Sequence, residues 1–276
     1  MGEKRLRSRA RAEILAAEPR CIYCSCAPET VEHMPPRGML KGKVRPSGME
    51  YAACRACNEG TRGSDAVAAA LARLHPDNGE SSWQGEEIRK LMSALDAHAP
   101  GVREELSQPG KARSEWLQRP GSGLVQRVIR VNADGPRLKA HLSVYGAKLA
   151  MALYREHVGA ALPLDGAVWC QFALNAGMTQ EHLEQRVKIM PSHGTLRQGQ
   201  NHVSDQFAYR YNTDCKTVVA AVAQFHKGLW FTVFASSAPK IIDLLTAPPF
   251  LNLPASAFVR PGGLLKLLPS SSPVAA

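Results

Sequence analysis

Two Cys-x-x-Cys pairs, Cys21-Ile22-Tyr23-Cys24 and Cys54-Arg55-Ala56-Cys57, constrain this chain more than any other feature in it. Thiolates three positions apart grip a soft cation through a tight turn. Four of them in two pairs suit one tetrahedral zinc whose coordination is closed. Cys21, Cys24, Cys54 and Cys57 are therefore the expected zinc ligands, and the stretch they clip is expected to fold as one small unit. A disulfide framework fits less well. Seven cysteines leave one unpaired, and the N-terminus carries charges without the apolar segment of a secretory signal. Free thiolates point instead to a reducing, cytoplasmic setting. Cys26 reads as a bystander, and Cys170 and Cys215 read as buried, inert thiols.

The 29 residues between Cys24 and Cys54 exceed the gap of a simple zinc ribbon, roughly 15–20. Something is inserted between the two knuckles. Val31–Met34 reads as a short strand, broken by Pro35-Pro36-Arg37-Gly38, because proline fixes φ and removes a donor. Met49–Ala53 reads as the returning strand, and the alanine-rich run from Ala66 to Leu74 reads as a helix. The order strand, loop, strand, helix is a ββα unit. Between the cysteine pairs stands Glu32-His33, and Asn58 follows the last cysteine directly. None of the three has an evident packing role.

The residues Cys21, Cys24, Glu32, His33, Pro36, Cys54, Cys57 and Asn58 together resemble the HNH endonucleases, the ββα-metal nucleases, in their zinc-clamped subset. The resemblance covers residues 1–75. It implies that Glu32 and Asn58 bind one divalent ion, magnesium or manganese, and that His33 is the general base. It also implies that the partner is nucleic acid, DNA before RNA. The chain departs from the family pattern in carrying Glu32 where aspartate is usual, and in having no asparagine between His33 and Asn58. Arg62 stands near the position of a frequent lysine.

The residue types suit that chemistry. Attack on an anionic phosphodiester needs hydroxide made locally, and an imidazole titrating near neutral pH can take a proton from water. A hard cation held by one carboxylate and one carboxamide can stabilise the leaving oxygen while keeping positions open for water and phosphate. Two readings without catalysis compete with this one. In the first the zinc module binds nucleic acid with an idle site. In the second zinc only staples a scaffold.

The rest of the chain is read more coarsely. With 276 residues, 45% of them hydrophobic, it can bury a substantial core, and a formal charge of +10 favours a polyanionic partner. No run of about 20 apolar residues suggests a membrane span. Residues 3–18 carry Lys4, Arg5, Arg7, Arg9 and Arg11, with Leu6, Ala10, Ile14 and Leu15 on a rough helical stripe, suited to an arm on the phosphate backbone or to an amphipathic helix packed on the zinc unit. Helices are expected over 85–98 and Val102–Ser107, a turn at Trp116-Leu117, a linker at Pro120–Gly123 and a strand over Leu124–Val131. A long helix follows Pro136 and ends near Gly159; its basic residues Arg137, Lys139, Lys148 and Arg155, with Arg127 and Arg130, read as a solvated face before a wider DNA-binding surface. Strands are expected over Ala167–Leu174 and Gln206–Tyr211, a short helix over Thr179–Val187, and a hairpin over Val218–Phe234 turning at His226-Lys227-Gly228. The interleaved aromatics of this region suit base stacking or a sheet core. The expectation is an α+β chain: a zinc-clamped ββα-metal module (1–76), a helical connector and linker (77–123), a C-terminal α+β domain with an antiparallel sheet (124–260) and a disordered tail (261–276).

Overall fold

The computed structural model describes residues 2–74, 86–118, 125–174, 197–238 and 257–269, with the isolated positions 240 and 243. The fold is α+β. Helix α1 (Gly2–Ala16) precedes the first cysteine pair. Strands β1 (Thr30–His33) and β2 (Glu50–Ala53) form an antiparallel ribbon, followed by α2 (Arg55–Gly60) and α3 (Arg62–Arg73). The ββα order expected from the sequence is thus present, with its helix in two segments that break at Thr61. Helices α4 (Glu86–His98) and α5 (Val102–Leu106) come next, then a second ribbon of β3 (Arg113–Gln118) and β4 (Val125–Arg130). Trp116 lies within β3 and not in a turn. Trp116, Val125 and Ile129 lie on one largely exposed face of this ribbon.

Helix α6 (Pro136–Val158) is the axis of the molecule. Its start is set chemically. Pro136 needs no amide partner in the first turn. The Glu105 carboxylate accepts from the next two amides, of Arg137 and Leu138, at 3.0 Å each. Gly159, at φ 85°, ends the helix in the left-handed conformation that glycine adopts without a Cβ penalty. Between these ends, residues from Leu138 to Tyr154 are buried on nearly every side.

One face of α6 packs on an antiparallel five-stranded sheet of β5 (Ala167–Leu174), β6 (Arg197–Gln198), β7 (Phe207–Thr213), β8 (Val218–Phe225) and β9 (Leu229–Ser236). Its strand order is β5-β9-β8-β7-β6. The β8–β9 hairpin turns at His226-Lys227-Gly228 as expected, with His226 at φ 49°. Tyr145 of α6 sits edge-on to Phe225, and Phe207 stacks on the same ring, so the aromatics of the sheet form core. The other face of α6 meets α3 and the zinc unit, and Tyr145 Oη reaches Met39 Sδ at 3.3 Å.

One apolar cluster runs from Cys21 to Leu264. The boundaries expected near 76 and 124 therefore do not divide the core. Of the expected tail, the described residues are those with the leucines, and 270–276 lie outside them. Residues 261–269 are placed, Leu264–Leu267 forms a short helical turn with Leu264 buried, and the Gly262 amide donates to the Tyr23 carbonyl at 2.7 Å. Cys215 is exposed rather than buried. The expected linker at 120–123 and helix at 179–187 lie outside the described residues. Among the described residues, no helix is long and apolar enough to cross a membrane.

Gly146 makes the seat of α6 on β5 testable. A Cβ there would stand 2.7 Å from Cys170 Sγ and 3.0 Å from the Phe231 ring. Gly146→Val is expected to destabilise the fold by about 1–3 kcal/mol through overpacking. A thermal melt that matches wild type would show that this contact is not tight.

Candidate functional site

The four cysteines of the two pairs converge. Their Sγ atoms lie within 4.8 Å of one another, and all four residues are buried. Cys24 Sγ is 3.6 Å from both Cys54 Sγ and Cys57 Sγ. Sulfurs around zinc at about 2.3 Å stand about 3.8 Å apart in a tetrahedron, so the set fits zinc. Among the described residues it is the one cluster of potential metal ligands.

The backbone prepares the sulfurs for negative charge. Amides of Tyr23, Cys26 and Cys57 donate to Cys21, Cys24 and Cys54 at 3.3, 3.4 and 3.4 Å. Cys26 contributes only its amide here, and its own side chain is exposed. A hydrogen bond from Cys57 pulls the Cys21 thiol down to about 5 against the effect of burial. The same contact, with burial, pushes Cys57 up. Cys54 also caps α2, which is how the second knuckle leads into a helix.

The β1–β2 ribbon separates the acid–histidine pair. Successive strand residues face opposite ways. Glu32 points inward and is 3% exposed, while His33 points outward. Register then supplies His33 with a partner, because His33 lies opposite Glu50. His33 Nδ1 is 3.0 Å from Glu50 Oε1. Arg45 Nη1 stands against the same ring edge, 2.7 Å from Nδ1 and 3.1 Å from Nε2, and donates to Glu50 Oε1 at 2.9 Å. Burial, Arg45 and Arg37 lower the imidazole pKa against the opposing pull of Glu50. The balance favours the neutral imidazole. Glu50 and Arg45 were not singled out in the sequence; a period-2 register of the two short strands was the signal that pairs Glu50 with His33.

Inward, Glu32 meets partners from far along the chain. Its Oε1 lies 3.3 Å from Lys148 Nζ, and Asp65 of α3 holds the same ammonium at 2.7 and 2.9 Å. Lys148 is wholly buried. Burial opposes its charge, but Asp65 and Glu32 outweigh burial and raise its pKa. Burial pushes the Glu32 carboxyl up to about 7, against the pull of Lys148. Asn58 lies on the Glu32 side of β1, and its Nδ2 donates to Thr30 Oγ1 at 3.0 Å.

The magnesium pair implied by the resemblance can be tested against this arrangement. Glu32 presents one oxygen to Lys148. The other, Oε2, is buried without a partner among the described residues. One free carboxylate oxygen falls short of the six ligands that Mg²⁺ takes, several of them water. An ion on Glu32 would also lie beside the ammonium. Unit charges of like sign 4 Å apart repel by about 4 kcal/mol at an effective dielectric of ~20, and a divalent ion doubles that. His33 is on the opposite face. The residues as placed do not fit a hydrated divalent ion at Glu32 and Asn58. His226, read without a role in the sequence, is buried, with Nε2 2.7 Å from the Met39 carbonyl oxygen.

Comparison of the chain with protein-family models, with curated proteins and with solved structures gives no match.

One zinc per chain is expected on elemental analysis of protein purified without chelator. Cys24→Ser or Cys57→Ser should abolish it and, because metal binding and folding are coupled in small sites, lower the melting temperature. Full stability in a zinc-free preparation would contradict a structural metal.

Proposed function

We propose that the chain hydrolyses phosphodiester bonds of nucleic acid, with His33 as general base. The observation that carries this reading is His33 held by Glu50 and Arg45 on the outer face of the β1–β2 ribbon. Arg45 only donates and stands 2.7 Å from Nδ1, so Nδ1–H can donate to Glu50 only once Arg45 has moved away; in that tautomer Nε2 is the accepting nitrogen. Arg45, with Arg37 close enough to act on the same ring, offers the positive charge that a phosphate seeks. A phosphate that draws Arg45 onto its own oxygens leaves Nε2 free to take a proton from water. The hydroxide adds to phosphorus, the P–O bond to the departing nucleotide breaks, and that oxygen takes a proton from solvent. The imidazolium then returns its proton to solvent. The basic balance of the chain and the HNH resemblance favour a nucleic-acid substrate, DNA before RNA. No step here passes through a divalent ion at Glu32.

A second reading, a zinc module that binds nucleic acid without cutting it, is favoured by one observation: Glu32 is committed to Lys148. Cleavage of a labelled duplex and a gel shift on the same protein separate the two. His33→Ala should lose about 10²–10⁴-fold in cleavage rate, with zinc content, melting temperature and DNA affinity near wild type. A folded His33→Ala protein that cuts at the wild-type rate would rule the mechanism out. Wild-type protein that shifts DNA without cutting it would leave the binding reading.

The pH profile is a second check. A base works in its neutral form, and the imidazole of His33 is held below its ordinary value of about 6.5. Cleavage should therefore persist at pH 6.5 and fall only in more acidic buffer. A rate already falling between pH 8 and 7 would point to a different base.

A further inference from the structure

We infer that Lys148 is the resident cation of the zinc unit: its ammonium takes the place at Glu32 that the nuclease resemblance gives to a divalent metal. The inference concerns the cation alone and stands or falls independently of whether the chain cuts nucleic acid.

Three segments distant in sequence build the arrangement. Glu32 comes from β1, Asp65 from the first turn of α3 and Lys148 from the middle of α6. Asp65 grips the ammonium with both oxygens, at 2.7 and 2.9 Å, and Glu32 Oε1 completes the set at 3.3 Å. These are nitrogen-to-oxygen distances of charge-assisted hydrogen bonds, well beyond the roughly 2.0–2.1 Å of a magnesium–oxygen bond. The Tyr23 ring, between the first two zinc ligands in sequence, lies with its centroid 5.9 Å from Nζ, so its π face adds to the cation's shell. Lys148 is 0% exposed and Glu32 3%, which leaves no room for the waters that magnesium keeps.

A lysine in this position is otherwise hard to account for. Its neighbours Ala147, Leu149, Ala150 and Met151 are buried apolar residues. A buried ammonium persists where it is paired and hydrogen-bonded. Here the pairing ties the ribbon of the zinc unit to α3 and to the central helix at once. The covalent attachment of the cation means that the carboxylates cannot lose it to chelation.

Binding of Mn²⁺, a spectroscopic stand-in for Mg²⁺, tests this on the full-length zinc-loaded protein. Wild type should show no Mn²⁺ uptake by electron paramagnetic resonance at millimolar ion, and no rise in melting temperature with Mg²⁺ or Mn²⁺. Lys148→Ala vacates the space between Glu32 and Asp65. It should gain one Mn²⁺ per chain and recover melting temperature as Mn²⁺ is added. Stoichiometric Mn²⁺ uptake by wild type that Glu32→Gln abolishes would overturn the inference. So would a folded Lys148→Ala protein as indifferent to Mn²⁺ as wild type. If Lys148→Ala does not fold, the wild-type and Glu32→Gln measurements decide alone. Absence of cleavage would count against the nuclease reading alone, and absence of Mn²⁺ uptake by wild type supports the present inference whether or not the protein cuts.

Discussion

The clustering of four sulfurs is the constraint on which the zinc unit depends. A four-residue strand pair is too short to hold itself together in water. Here the end next to the cysteine pairs is held: Ile22 donates its amide to the Ala52 carbonyl, and Glu29 donates to that of Ala53. With the ribbon pinned at that end, its register is fixed, and a one-residue slip would exchange the two faces. Glu32 would turn outward and His33 inward. The buried ammonium and the surface imidazole network thus both follow from sulfur geometry some distance away.

The two sides of the ribbon show why parts of this structure were legible in the sequence and others were not. The cysteine pairs are local signals, as are the proline start and glycine stop of α6 and the turn between β8 and β9. Each reports its own conformation through the few residues around it. The direction of Glu32 is not of this kind. It is settled by Asp65 and Lys148, which no local pattern connects to it, and the basic residues of α6 were read together as one solvated face. Lys148 differs from its basic neighbours by position. It lies three residues after Tyr145 and four before Ala152, on the helical stripe that faces the core. That spacing was the available signal, and the charge of the residue argued against it. The β3 strand was missed because Arg113–Gln118 offers little alternation and its partner lies across residues with strong turn composition.

The site residues divide in the same way. The cysteines were identified by spacing alone, since a zinc knuckle is a local device. His33 was identified by its neighbours in sequence, yet what orients it, Glu50 with Arg45, is supplied by pairing across the ribbon. Asn58 was read as a metal ligand through the resemblance. In the fold it ties α2 to β1 through Thr30. A resemblance carried on residue types gives the chemistry that a site can perform, and the packing around each side chain decides which of those roles is open.

The amide of Gly262 donating to the carbonyl of Tyr23 has a consequence for how the chain is made. Synthesis delivers all four cysteines well before Gly262. The backbone partner of Tyr23 arrives only with Gly262, after the central helix and the whole five-stranded sheet. Until Gly262 is made, the first knuckle lacks the partner that closes over the Tyr23 carbonyl. The residues that gather the sulfurs and the residue that closes over them are thus made far apart in synthesis, and completion of the zinc unit waits on the rest of the chain.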